Sequence, residues 1–125
     1  MKLYWKNNRQ MAEIGSYECV LEDDDGYTQT IHIRDNTCEF CRKEAAQDPI
    51  TFKHYHPYAF EVDYCHGYSM SEGFDETWTL ERVKIWAEDY LLNGLINNYN
   101  HMKETIGQAE QEAIWAQEFK NSRNK

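Results

Sequence analysis

Hydrophobic and polar residues alternate with period two through the first third of the chain. Tyr17, Cys19 and Leu21 fall on one face of an extended segment, with Glu18 and Glu22 on the other. Asp23-Asp24-Asp25-Gly26 follows, and Asp-Gly between two alternating segments is a strong hairpin-turn signal. The return strand runs from Tyr27 to Arg34, with Ile31 and Ile33 pointing one way and Thr28, Thr30, His32 and Arg34 the other. Asp35-Asn36-Thr37 then reads as a turn and helix cap. A short helix is predicted over Cys38–Gln47, ending ahead of Asp48-Pro49 because the residue before a proline disfavours helix.

Alternation returns in Ile50–His56, with Ile50, Phe52, His54 and His56 on one side, and predicts a strand. After Pro57 a second run sets Phe60, Val62 and Tyr64 against Glu61, Asp63 and Cys65. Residues 66–76 read as a Gly/Ser-rich loop. The last third changes period. Thr79 can cap a helix in which Leu80, Val83, Ala87, Tyr90, Leu91 and Gly94 recur at three-to-four spacing. The stripe weakens across residues 93–100 and resumes through Tyr99, Met102, Ile106, Ala109, Ala113 and Ala116, as one bent helix or two. The pattern predicts a single α+β domain over residues 1–125. A small antiparallel sheet, made of the N-terminal hairpin plus strands near 50–65, packs with a helical C-terminal third. Its parts are a sheet-rich 1–66, a loop 66–76, helices over 79–119 and a solvated basic tail 120–125.

Composition narrows the classes. The chain has 125 residues, 41% hydrophobic, enough for a core and outside the profile of disordered chains. No apolar run resembles a secretory signal or a membrane span, which predicts a cytoplasmic protein with no membrane contact. The net charge is −9, with six carboxylates and no base in residues 11–26 and six carboxylates against one lysine in 48–78. Nucleic-acid affinity comes mainly from neutralising phosphates with Lys and Arg, so direct nucleic-acid binding is not expected. Four cysteines without a secretion signal favour thiols or metal over a disulfide framework.

The densest chemical signal is Cys38, Cys41, His54, His56, Cys65 and His66. Zinc favours thiolate and imidazole and commonly draws its first ligand pair from Cys-X-X-Cys, here Cys38-Glu-Phe-Cys41. If metal is present, it is expected as one structural zinc on Cys38 and Cys41 with two of the other four. The competing reading makes the cysteines small apolar core residues and the histidines ordinary surface residues. A third makes Cys38 and Cys41 a redox pair, although Glu39 beside them would raise the thiol pKa. The acidic turn does not fit a calcium loop, since Leu21 and His32 fall where the end ligands belong. No nucleophile motif or phosphate-binding glycine loop is present, and the exposed pair His101 and Glu104 carries no expectation of catalysis.

Residues 55–78 interleave aromatics with carboxylates, a composition suited to an interface core ringed by charge that steers a basic partner. The expected function is therefore a non-enzymatic, acidic protein-binding module for a partner with a basic surface. Its candidate contacts are Asp23, Asp24, Asp25, Tyr58, Glu61, Asp63, Tyr68, Met70, Glu72, Phe74, Asp75 and Glu76. The alternative is a small zinc-stabilised or Cys-X-X-Cys redox protein. The C-terminal stripe, with Trp115 and Phe119 on adjacent faces, predicts a homodimer through residues 99–119. Small, acidic, aromatic-rich chains of this profile resemble the inhibitors that phages and mobile elements direct at nucleic-acid-binding host proteins, such as anti-CRISPR proteins. That likeness is compositional, and no single residue carries it.

Overall fold

A computed structural model describes residues 1–64, 71–101 and 107–123. In chain order the elements are β1 (Lys2–Trp5), α1 (Arg9–Glu13), β2 (Ser16–Glu22), β3 (Thr28–Asp35), α2 (Glu39–Gln47) and α3 (Pro49–Tyr55). They continue with β4 (Phe60–Asp63), β5 (Ser71–Phe74), α4 (Leu80–His101) and α5 (Gly107–Arg123). The strands form one five-stranded antiparallel sheet in the order β1-β2-β3-β4-β5, so each strand pairs with its neighbour in sequence. The fold is α+β.

The β2–β3 turn sets the register. Asp23 Oδ1 accepts hydrogen bonds from the amides of Asp25 and Tyr27, both at 2.9 Å, and Gly26 adopts a φ of 88°. Pairing then runs from Glu22↔Thr28 to Ser16↔Arg34. Because side chains alternate across a strand, this register places Cys19, Leu21, Ile31, Ile33, Phe60, Val62 and Phe74 on one face. That face is buried with Val83, Ala87 and Leu91 of α4. Ile31, Ile33 and Val62 are wholly inaccessible, and burying such side chains is worth roughly 1.5–3 kcal/mol each. The opposite face carries Ser16, Glu18, His32, Arg34, Glu61 and Asp63, all at least partly exposed.

Helix α5 packs along α4 through Ala109, Ala113 and Ala116, all buried. Lys120 Nζ reaches Asn93 Oδ1 at 2.8 Å. The Arg123 guanidinium donates to Glu88 at 2.8 Å and also to Asp89. Glu88 accepts a further bond from Trp5 Nε1 at 2.9 Å, tying β1 to the helical layer.

Several expectations need correction. Residues 49–55 form a helix, not a strand, because Asp48 accepts a hydrogen bond from the Thr51 amide and Pro49 occupies the first turn, where its missing N–H costs nothing. Among the described residues, the strand content near 50–65 is therefore β4 alone. Residues 71–74 of the expected loop form edge strand β5, while Cys65–Met70 lie outside the described residues. The basic tail is not a solvated appendage through residue 123, since α5 extends to Arg123 and its cation is engaged. Strand β1 falls within the sheet-rich 1–66, while helix α1 interrupts it, its start capped by Asn8, whose side chain accepts from the Gln10 and Met11 amides.

A candidate docking surface

Between β3 and β4 the chain makes an excursion, residues 36–59, that leaves and re-enters the sheet at facing positions, Asp35 and Phe60 being register partners. Its stem is built from short-range polar bonds. Asp35 Oδ1 accepts from the Thr37 amide at 2.8 Å and the Thr37 hydroxyl at 2.6 Å. Asn36, itself buried, donates from its amide to the Ala59 carbonyl at 2.9 Å. Its side-chain Nδ2 donates to the Tyr58 carbonyl at 2.7 Å and to Glu61 Oε2 at 3.2 Å. One asparagine thus clamps both ends of the excursion.

Beyond the stem, α2 and α3 form an arm. Cys38 caps α2, its sulfur accepting from the Cys41 amide at 3.4 Å. Asp48 serves both helices: its amide donates to the Glu44 carbonyl at 3.2 Å, closing α2, and its side chain caps α3. Those bonds from Thr51 hold the Asp48 carboxyl below the usual carboxylate value. Helices of 9 and 7 residues are marginal in isolation, so caps and stem must supply what burial does not. Burial supplies little. Cys41 is the sole buried residue of α2, and α3 has none.

The arm instead displays apolar side chains. Ile50 is 84% exposed, Tyr55 67% and Phe40 46%. Where α2 meets α3, Glu44, Gln47, Asp48, Thr51, Phe52, Tyr55 and His56 line a cavity of about 240 Å³. Phe52 and Tyr55 offer aromatic surface, and Glu44 and Asp48 place two carboxylates around it. An arginine or lysine side chain suits such a place, its aliphatic stem on the rings and its cation toward the acids.

The residues singled out from sequence are dispersed. Asp23, Asp24 and Asp25 sit at the hairpin tip, at the far end of the roughly 25 Å β3 strand from the arm. Asp23 is turned inward as the turn's acceptor, and Asp24 meets the Met1 amino group at 2.6 Å. The neighbouring Tyr27, not anticipated as a contact, is 77% exposed. Tyr58 lies with its ring over Gly73, where a Cβ would come within 2.4 Å of it. Glu61 lies within reach of Arg34 at 3.8 Å and His56 at 3.7 Å, and Asp63 faces His32. Phe74 is a correction: it is buried against Trp78 and Trp86, with ring centroids at 4.6 Å and 5.3 Å, and offers nothing to a partner. Asp75 accepts from Thr77, Glu72 and Glu76 are exposed, and Tyr68 and Met70 lie outside the described residues.

The cysteine–histidine set divides similarly. Cys38 and Cys41 adjoin at the start of α2, His54 is exposed on α3, and His56 ends α3 against the Phe52 ring at 4.9 Å. Cys65 and His66 lie outside the described residues. Among the described residues no three His, Cys, Asp or Glu side chains come together as a metal shell. Burial first, then the hydrogen bond and charge of Cys38, push the Cys41 thiol up to about 12. Burial, then Glu88, takes Cys19 to about 12 as well.

Asp48-Pro49 ends α2 as its sequence predicts, and the same pair also starts α3, since Asp followed by Pro is equally a cap and a first turn. No helix among the described residues is long and apolar enough to cross a membrane. No protein-family model, curated protein or solved structure matches the chain.

Proposed function

We propose that the chain is a protein-binding module that engages a partner with a basic surface through the α2–α3 arm. The observation that carries this reading is an arm holding Ile50 and Tyr55 in solvent beside an aromatic cavity edged by Glu44 and Asp48. Leaving a side chain the size of Ile exposed forgoes roughly 1.5–3 kcal/mol of burial, which contact with a partner would recover. Nucleic-acid-binding proteins present basic surfaces, so an inhibitor of such a protein is the form this reading takes from the compositional profile.

The test compares the wild-type chain with Ile50→Asp/Tyr55→Ala and with Glu44→Lys, which leaves the Asp48 cap in place. A partner is captured once, identified, purified and titrated against all three. Loss of an aromatic anchor should weaken binding by about 30-fold or more. Charge reversal should weaken it further at about 0.05 M salt than at about 0.5 M, since screening acts on exposed charges. Unchanged affinity of both variants for that partner overturns the reading.

A homodimer through residues 99–119 is a separate proposal. Trp115 and Phe119, 5.5 Å apart and half-buried, line a cavity of about 650 Å³ against β1, and their exposed edges favour it. Light scattering that returns a 15.0 kDa monomer at micromolar concentration removes it.

A further inference from the structure

Three strands bring Ser16, His32 and Asp63 together on the sheet face opposite α4 and α5. The Ser16 hydroxyl is hydrogen-bonded to His32 Nε2. The other ring nitrogen, Nδ1, lies 3.9 Å from Asp63 Oδ2. His32 and Asp63 are register partners, while Ser16 stands directly across from Arg34, one step along the same face. The order of atoms matters. With its proton on Nδ1, the nitrogen on the Asp63 side, the ring presents Nε2 as an acceptor for the serine proton, and this is the tautomer a general base requires. A histidine that served only to pair Asp63 would leave its far nitrogen to water. Here that nitrogen meets a hydroxyl.

We propose that Ser16 is a nucleophile toward small, unhindered carboxylic esters, with His32 as its general base and Asp63 as the residue that positions the ring. In the first step Ser16 Oγ forms a bond to the ester carbonyl carbon as its proton passes to His32 Nε2. The C–O bond to the alcohol then breaks, and the alcohol leaves with that proton from His32. Water, deprotonated by His32, attacks the acyl-Ser16 carbon, and Ser16 departs with the proton, releasing a carboxylic acid. Arg34, the register partner of Ser16, brings a cation to the same sheet face and would have to swing from its present neighbours to reach the carbonyl oxygen that becomes anionic. Its guanidinium now lies 3.4 Å from His56 Nδ1 and 3.8 Å from Glu61 Oε2.

The open setting selects the substrate class. The Asp63 side chain is 62% exposed and that of His32 33%, so a small ester can approach. A flat, wet face gives little binding energy and weak charge stabilisation, which confines the chemistry to esters with good leaving groups. At 3.9 Å the His32–Asp63 pair is longer than a hydrogen bond, so the proposal requires it to close when substrate occupies the site. The site meets the arm only where Arg34 approaches His56, so loss of labelling at Ser16 leaves the contacts of Ile50 and Tyr55, and with them the docking reading, untouched.

The experiment uses the full chain with a fluorophosphonate probe and with p-nitrophenyl acetate. The wild-type chain should gain a single adduct mapped to Ser16 by peptide mass spectrometry, with a nitrophenol burst of about one equivalent. Ser16→Ala should lose adduct and burst at an unchanged melting temperature, and Ser16→Cys should keep the burst. His32→Asn should slow labelling about 100-fold. Asp63→Asn should slow labelling and Asp63→Glu restore it, which a merely structural role of that side chain would not produce. No adduct at Ser16, or one forming equally fast in His32→Asn, overturns the proposal.

Discussion

The face of the sheet under α4 and the α2–α3 arm solve the same problem in opposite ways. Under α4 the side chains complete one another: Ile31, Ile33, Val62 and Val83 are inaccessible, and Phe74, Trp78, Trp86, Tyr64 and Tyr90 form a continuous run of ring contacts. In the arm almost nothing is completed internally, and helical order rests on Asn36 below and Asp48 at the bend. Stability is concentrated in the first region and available surface in the second.

The comparison breaks most visibly if a core residue and an arm residue of similar size are truncated. Leu92→Ala removes a wholly buried side chain of α4 and should cost about 2–5 kcal/mol in urea denaturation. Ile50→Ala should shift stability by no more than about 0.5 kcal/mol. Equal losses would mean that the arm is part of the core. A smaller effect is expected at the edge of the sheet. In Gly73→Ala the new methyl meets the Tyr58 ring at 2.4 Å and should cost about 1–3 kcal/mol, most of it recovered in Tyr58→Ala/Gly73→Ala.

The cysteines sharpen the contrast through pH. Cys19 and Cys41 are stabilised as neutral thiols, their pKa raised from 9.0 to about 12. Their contribution is fully present below the unfolded value and is lost as pH rises from about 9 toward about 12, so the melting temperature should fall across that window. At pH 8 both should alkylate about a thousandfold more slowly than an ordinary thiol, by the thiolate fraction alone. Peptide mapping with and without added zinc also tests a structural zinc. Protection of Cys38 and Cys41 together requires further ligands from the remaining candidates, and no protection removes that site.

The smallest expected effect lies at the bend. The Asp48 carboxyl is held below 3.8 by its bonds from Thr51, so the cap is fully present above 3.8 and is lost as pH falls through the lowered value. Amide exchange at Thr51 and Phe52 should quicken there before the sheet amides respond. Simultaneous exchange would show that arm and sheet open as one.

What could be read from the sequence follows from which interactions are local. The β2–β3 hairpin was legible because Asp-Gly fixes the turn and the turn fixes the register, so the inward positions of Cys19, Leu21, Ile31 and Ile33 followed. Alternation at Ile50, Phe52, His54 and His56 misled, because the cap at Asp48 overrode a period-two pattern over a short span. The ring of Phe74 looked like interface surface in a Gly/Ser-rich stretch, since its partners Trp78 and Trp86 come from the next elements. Ser16, His32 and Asp63 are invisible as a motif. They meet only once β4 has taken its register on β3, and no turn in the sequence announces that pairing.

Because Asp35 and Phe60 face each other across one strand spacing of about 5 Å, everything between them is topologically a loop. The sheet order follows the chain order, so no strand has to be threaded past the arm to reach its neighbour. The arm is thus an exchangeable cassette. Its sequence and length are free to diverge, or to be replaced by a tight turn or a foreign helical hairpin, while the scaffold keeps its registers. Selection for a new partner would find its raw material there, at little risk to folding.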